Sequence, residues 1–126
     1  MILKDYIYET LRDDATMHTL LGKSVTPYGI FLVSPPKKPT FPLVTFFTNA
    51  QTGRFPRDIP FNFTAWGNTF DAIQSRIFTL LNNQVVTVTD FHSLMLKWDW
   101  EGPEIFDQDY KVYVRQSRYL CKAVKL

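Results

Sequence analysis

The sequence predicts one α+β domain spanning residues 1–126, with two helices packed on one face of a mainly antiparallel sheet. The chain has 126 residues, of which 45% are hydrophobic and 16% aromatic, so it can bury a core without disulfides or metals. Two segments carry apolar residues at three- and four-residue steps, and several others alternate with a period of two. No internal repeat or linker interrupts this order of helix, strands, helix and strands.

The N-terminal segment has the pattern of an amphipathic helix. Its apolar face consists of Leu3, Tyr6, Ile7 and Leu11. Asp13 or Asp14 is predicted to cap a second, short helical turn from Ala15 to Leu21, which Gly22 ends. We count this turn with the first helix.

The next segments predict an irregular edge strand followed by a hairpin. Val25 to Val33 is rich in β-branched and aromatic residues, and the proline-rich stretch Ser34 to Pro39 follows it as an exposed loop. Leu43 to Thr48 and Ile59 to Trp66 then form the two hairpin strands. The polar segment Asn49 to Asp58 forms the long tip between them.

The second helix is predicted from its apolar stripe, which consists of Phe70, Ile73, Ile77, Leu80 and Leu81. Asn68 is expected to be the N-cap, with Asp71 three residues later. Gln74, Ser75 and Arg76 are expected on the solvent face, and Asn82 and Asn83 end the helix.

The C-terminal third predicts three strands. Val85 to Val88 is short. Leu94, Leu96, Trp98 and Trp100 alternate with Met95, Lys97, Asp99 and Glu101 and are expected to share a face. Tyr110 to Val124 is long, and its apolar residues change parity, so we expect a bulge or bend near Gln116.

The sequence offers little for catalysis or metal binding. His18 and His92 have no Cys or His at ligand spacing, and no pair of the five glycines forms a phosphate-binding loop. Cys121 is expected to be a buried, unreactive thiol, and Asp107 and Asp109 to shape a turn. We therefore expect no enzyme, no cofactor and no metal. A net charge of +2 and the absence of a long apolar run argue against nucleic acid or a membrane as the main partner.

Two surface elements instead suggest protein binding. Phe55 lies between Arg54 and Arg57 in the predicted hairpin tip, which is the composition of an interface anchor. The last strand carries Arg115 and Arg118 among tyrosines. Such a surface could also stack bases and neutralise phosphates, but the small net charge favours a protein interface.

Three stretches resemble the tail-terminator, or tail-completion, proteins of long-tailed bacteriophages. The first is the proline-rich loop with the strand after it, from Ser34 to Phe46. The second is Phe61 to Gly67, which leads into the helix ending at Leu81. The third is Phe106 to Tyr110, followed by the last strand with its arginines and tyrosines.

This resemblance implies a structural virion protein at the head-proximal end of the tail, assembled in the host cytoplasm. Such proteins form rings, typically hexamers, that cap the tail tube, stop its polymerisation and provide a docking face for the head. The implied partners are further copies of the chain, the tail-tube protein and a head-completion or connector protein. DNA would only pass through the lumen of the ring.

Under this hypothesis seven residues are candidate contacts. Arg54, Phe55 and Arg57 would act through the hairpin tip, and Lys37 and Lys38 at a second exposed face. Arg115 and Arg118 would pair with acidic groups of the adjacent subunit. The alternatives are a head-completion or connector protein of the phage neck, a sheet-based nucleic-acid-binding module that uses the last strand and, with least support, a small hydrolase.

Overall fold

The computed structural model describes residues 3–22, 29–48, 58–89 and 92–125. Within these ranges lie three helices and seven strands. They are α1 (Leu3–Arg12), α2 (Ala15–Leu21), β1 (Ile30–Leu32), β2 (Leu43–Thr48), β3 (Asp58–Trp66), α3 (Phe70–Leu81), β4 (Val85–Thr89), β5 (His92–Glu101), β6 (Ile105–Asp107) and β7 (Val112–Lys125).

The predicted count of two helices is wrong, because α2 is a separate helix. Asp14 is extended, and its carboxylate accepts a hydrogen bond from the Met17 N–H at 2.7 Å, so a new helix starts there. Gly22 ends α2 in the left-handed conformation, and its N–H donates to carbonyls of the last turn. The expected bounds of Ala15 to Leu21 are confirmed.

The strands form one sheet in the order β1-β2-β3-β7-β5-β4, and β6 pairs with β7 beside this path. Only β1 and β2 pair in parallel among the described strands, so the expected α+β class with a mainly antiparallel sheet is confirmed. β2 and β3 form the predicted hairpin. Residues 49–57 of the predicted tip and residues 25–28 of the predicted edge strand lie outside the described residues, and Asp58, predicted as the end of the tip, begins β3.

All three helices contribute to one core on the same face of the sheet. Ile7, Met17 and Ile77 are fully buried together with Phe63 and Tyr119 of the sheet. Burying a side chain of this size stabilises the fold by roughly 1.5–3 kcal/mol. The opposite face, which we call the open face, carries no helix among the described residues.

The start of α3 and its solvent face differ from the prediction. Thr69, rather than Asn68, is the N-cap, and its side chain makes no capping hydrogen bond. Gln74 was expected in solvent but is only 2% exposed. Its amide donates to the Arg115 carbonyl at 2.7 Å, and its oxygen accepts from Ser117 at 2.7 Å. Partners distant in the sequence therefore hold this polar side chain in the core.

The expected bulge near Gln116 lies instead on the neighbouring strand. β7 pairs with β3 without a shift from Asp58↔Lys122 to Trp66↔Val114. The register of β5 against β7 shifts by one residue between Trp98 and Trp100. These tryptophans oppose Tyr119 and Arg118, which are adjacent and point to opposite faces. The prediction that they share a face is therefore wrong.

A second apolar cluster explains why the buried residues of β7 change parity. On the open face, Phe41, Trp66 and Tyr110 pack with ring centroids 5.5–6.4 Å apart. Val114 lies opposite Trp66 and is buried, although it points away from the helices. Because both faces are covered at this end of the sheet, β7 can bury side chains of either parity without a bulge.

Asp14 links α2 to α3, and this gives a pH-dependent prediction. Arg76 donates to both Asp14 carboxylate oxygens, at 2.6 and 2.9 Å. This hydrogen bonding, aided by the Met17 N–H and opposed by burial, lowers the Asp14 pKa below its ordinary 3.8. A lowered pKa contributes stability above pH 3.8 that is lost as the pH falls through the folded-state value.

We expect Asp14→Asn to lower the free energy of unfolding at neutral pH, because it removes the charge but keeps a capping oxygen. Asp14→Ala should cost about 1 kcal/mol more, because it also removes the cap. Urea unfolding from pH 7 down to acid checks both variants. The loss in free energy of unfolding caused by Asp14→Asn should shrink at acid pH. A loss that does not depend on pH would contradict the assigned role of the charge.

Candidate interaction surfaces

A groove of about 540 Å³ lies between α3 and β5 on the helix side of the sheet. Phe78 of α3 and Trp98 of β5 line it, and both side chains are a little under half exposed. Glu101 and Tyr119 also line the groove, and burial together with the Glu101 charge raises the Tyr119 pKa far above its ordinary value. Gln74, Ser75 and Thr79 complete the lining, so the groove combines aromatic surface with polar groups and one carboxylate, a composition able to bind a protein side chain.

Arg115 lies at the edge of this groove and is held by three groups of its own chain. It donates to the Gly102 carbonyl at 2.9 Å and to the Asp71 carboxylate at 2.8 Å. A Glu101 oxygen lies 3.5 Å away. The predicted pairing of Arg115 with an adjacent subunit stays a prediction, and in this chain the guanidinium joins β7 to α3 and to the end of β5.

Arg118 lies on the open face and pairs with Asp99 at 2.7 Å. Asp99 is the extra residue that shifts the register of β5, so the bulge places its carboxylate beside the guanidinium. Its predicted contact with a neighbouring subunit is likewise untested. Since Arg115 and Arg118 both face carboxylates of their own chain, these two cations are not free to bind phosphates.

Lys37 and Lys38 are exposed in the loop after β1, as predicted. This loop lies at one margin of the sheet, because β1 is the first strand of the order. Leu32 and Val33, just before the loop, are also exposed. The margin therefore combines two cations with apolar surface. Arg54, Phe55 and Arg57, the other predicted contacts, lie outside the described residues.

Sequence analysis missed strand β6, which carries a surface of opposite charge. Ile105 and Phe106 are exposed there, and the Phe106 ring packs edge-on against Tyr113 at 5.0 Å. Asp107 accepts from the Tyr110 N–H at 2.8 Å, which confirms that it shapes the turn before β7. The signal available in the sequence was the run from Asp99 to Asp109, which has five carboxylates and no cation.

The part of the chain that is described holds no group of three or more His, Cys, Asp or Glu side chains able to bind a metal. It also contains no helix long and apolar enough to cross a bilayer.

The comparisons with known proteins concern the fold. No protein-family model matches the chain, and no curated protein matches its sequence. Among solved structures, the chain is similar to one in the "Virion of native gene transfer agent (GTA) particle". The two share 13% sequence identity and a TM-score of 0.72 over 98% of this chain and 95% of that one. At this identity the likeness establishes a shared fold.

Cys121 provides a test of the core beneath these surfaces. The side chain is fully buried, and burial raises the thiol pKa to about 12. We expect a disulfide-exchange reagent to modify the folded protein very slowly at pH 8, because the thiolate is scarce and inaccessible. One thiol should react promptly in denaturant, which serves as the control. Rapid stoichiometric reaction of the folded protein would show that this part of the core is open.

Proposed function

We propose that the chain is a structural virion protein of a phage-like particle and acts as a tail terminator. In this role a ring of copies, six in our proposal, caps the tail tube, stops its polymerisation and provides the surface on which the head docks. The observation that carries the proposal is the likeness in fold, along almost the whole chain, to a protein of a gene transfer agent virion. The three stretches that resemble tail terminators support the same assignment.

The surfaces of the domain are consistent with an assembly role. Exposed apolar side chains occur at the margins formed by β1 and β6 and in the groove between α3 and β5, among other places. A ring needs two different surfaces on each copy. Such a head-to-tail contact closes into a ring when a whole number of rotations from one copy to the next completes a full turn. Tail-tube protein on one side and a head-completion protein on the other would occupy the flat faces of the ring, with DNA passing through the lumen.

A head-completion or connector protein of the phage neck is the second candidate. The fold likeness favours it as much as a terminator, because it is a likeness to a protein of a whole virion and gives no position within that virion. A nucleic-acid-binding module has less support, since Arg115 and Arg118 already face carboxylates of their own chain. A hydrolase has least, because no nucleophile and base are brought together in the described residues.

The main test is tube length. Purified chain added to polymerising tail-tube protein should stop elongation and appear as a ring at one end of each tube in negative-stain images. Bovine serum albumin at the same concentration controls for crowding. Tubes of unchanged length without an end ring would contradict the terminator role. Binding to a head-completion complex but not to tubes would instead favour the neck protein.

The hairpin tip gives a second test. Changing Phe55 and Arg57 to Ala should weaken binding to the tube, because the change removes an aromatic anchor and a cation. The thermal unfolding midpoint should stay unchanged. Gln51→Ala with Thr52→Ala is the matched control in the same segment and should bind as the parent does. If the Phe55 and Arg57 variant binds tubes equally well, this segment has no part in the tube interface.

A further inference from the structure

The margin of the sheet formed by β1 and the loop after it is basic and apolar. Residues 29–48 contain Lys37 and Lys38 and no carboxylate. Both lysines are exposed and form no ion pair within the described ranges. Leu32 is 47% exposed and Val33 is 71% exposed beside them. We call this surface the basic margin.

Val33 has a backbone conformation that suits glycine better than valine, and no contact within the described part of its own chain accounts for the valine. Its φ is 69°, in the left-handed region, where a β-branched side chain is strained. Hydrogen bonds from the Val33 N–H to the Phe46 carbonyl and from the Ser34 N–H to the Leu32 carbonyl fix this turn. The strained residue then points most of its apolar side chain into solvent, whereas glycine would fit without strain.

The other margin is acidic and apolar. β6, the residue before it and the turn after it carry Glu104, Asp107 and Asp109, none of which forms an ion pair with a described residue. With Lys111, residues 104–111 have a net charge of −2, which matches the +2 of the basic margin in magnitude. Ile105 is 50% exposed. Phe106 and Tyr113 extend this apolar surface, and we call the whole the acidic margin.

The topology places the two margins on opposite sides of the sheet. At Val114, β7 pairs with β3 on one side and with β6 on the other. β1 is separated from β3 by β2, so it lies on the far side from β6. Across the described residues, the outer edges of β1 and β6 pair with no further strand. Another copy of the chain therefore presents a surface of complementary charge to either margin.

We propose that the basic margin of one copy binds the acidic margin of the next. This inference rests on the ring of the proposed function and identifies its interface. Lysines of one copy would lie against carboxylates of its neighbour, with Leu32 and Val33 against Ile105 and Phe106. A symmetric contact between two basic or two acidic margins would bring like charges together, so charge selects the head-to-tail arrangement.

Charge reversal tests this interface without depending on tubes. Lys37→Glu with Lys38→Glu makes both margins acidic, and Glu104→Lys with Asp109→Lys makes both basic. Each variant alone should associate about tenfold or more weakly than the wild type, because attraction becomes repulsion. An equal mixture should recover association, since the variants can alternate around a ring. A chain with all four changes should also recover it. Mass by light scattering, at low and high salt, measures each state.

Val33→Gly tests the apolar part of the contact. Because glycine accepts a φ of 69°, the variant should unfold at an equal or higher urea concentration while associating more weakly. Thr40→Ala, an exposed change in the same segment, is the control that keeps both margins. Loss of association together with loss of stability would assign Val33 to folding and not to the interface.

The outcomes separate this inference from the proposed function. Charge-reversed variants that assemble as well as the wild type, or a mixture that fails to recover, overturn the interface. A wild-type chain that stays monomeric at every concentration reached also overturns it, even if that chain still caps tubes. Recovery in the mixture without any effect on tube length would support the interface and contradict the terminator role.

Discussion

The 14-residue strand β7 pairs with β3 on one side and with β5 and β6 on the other, and the register of this central strand fixes the position of the elements around it. Tyr119 and Cys121 face the helices because β7 pairs with β3 without a slip. A slip of one residue would move both to the open face and bring Arg118 into the core. The free-energy cost of exposing these two side chains and burying the Arg118 charge therefore maintains the register.

Polar contacts then bind the helical layer to this strand. Gln74 of α3 hydrogen-bonds to Ser117 and to the Arg115 carbonyl, and Arg115 reaches back to Asp71. On the open face, the bulge at Asp99 supplies the carboxylate for Arg118. Arg115 and Arg118 of β7 are thus paired within one chain, whereas Lys37, Lys38 and the carboxylates around β6 form no ion pair with a described residue. Those unpaired charges favour association through the margins.

A shared fold at 13% identity has a simple physical basis. The fold requires a periodic apolar pattern and a central strand in register, and many sequences satisfy both. In the proposed role, the surfaces that meet other subunits would need only to complement those particular subunits, so they could change together while the core persists. Under the proposed interface, complementary margins on opposite sides of one sheet would let the domain repeat around a ring.

Local sequence patterns by themselves determined most of the helices and strands of this chain. The α+β class, the β2–β3 hairpin and the bounds of α2 follow from local spacing and from caps such as Asp14 and Gly22. Tertiary structure decided the rest, because the partners are distant in sequence. Gln74 is buried only because Ser117 and a β7 carbonyl satisfy it, 43 and 41 residues away. The tryptophans Trp98 and Trp100 occupy opposite faces because the register against β7 shifts between them, and no local pattern records which strand accommodates an extra residue.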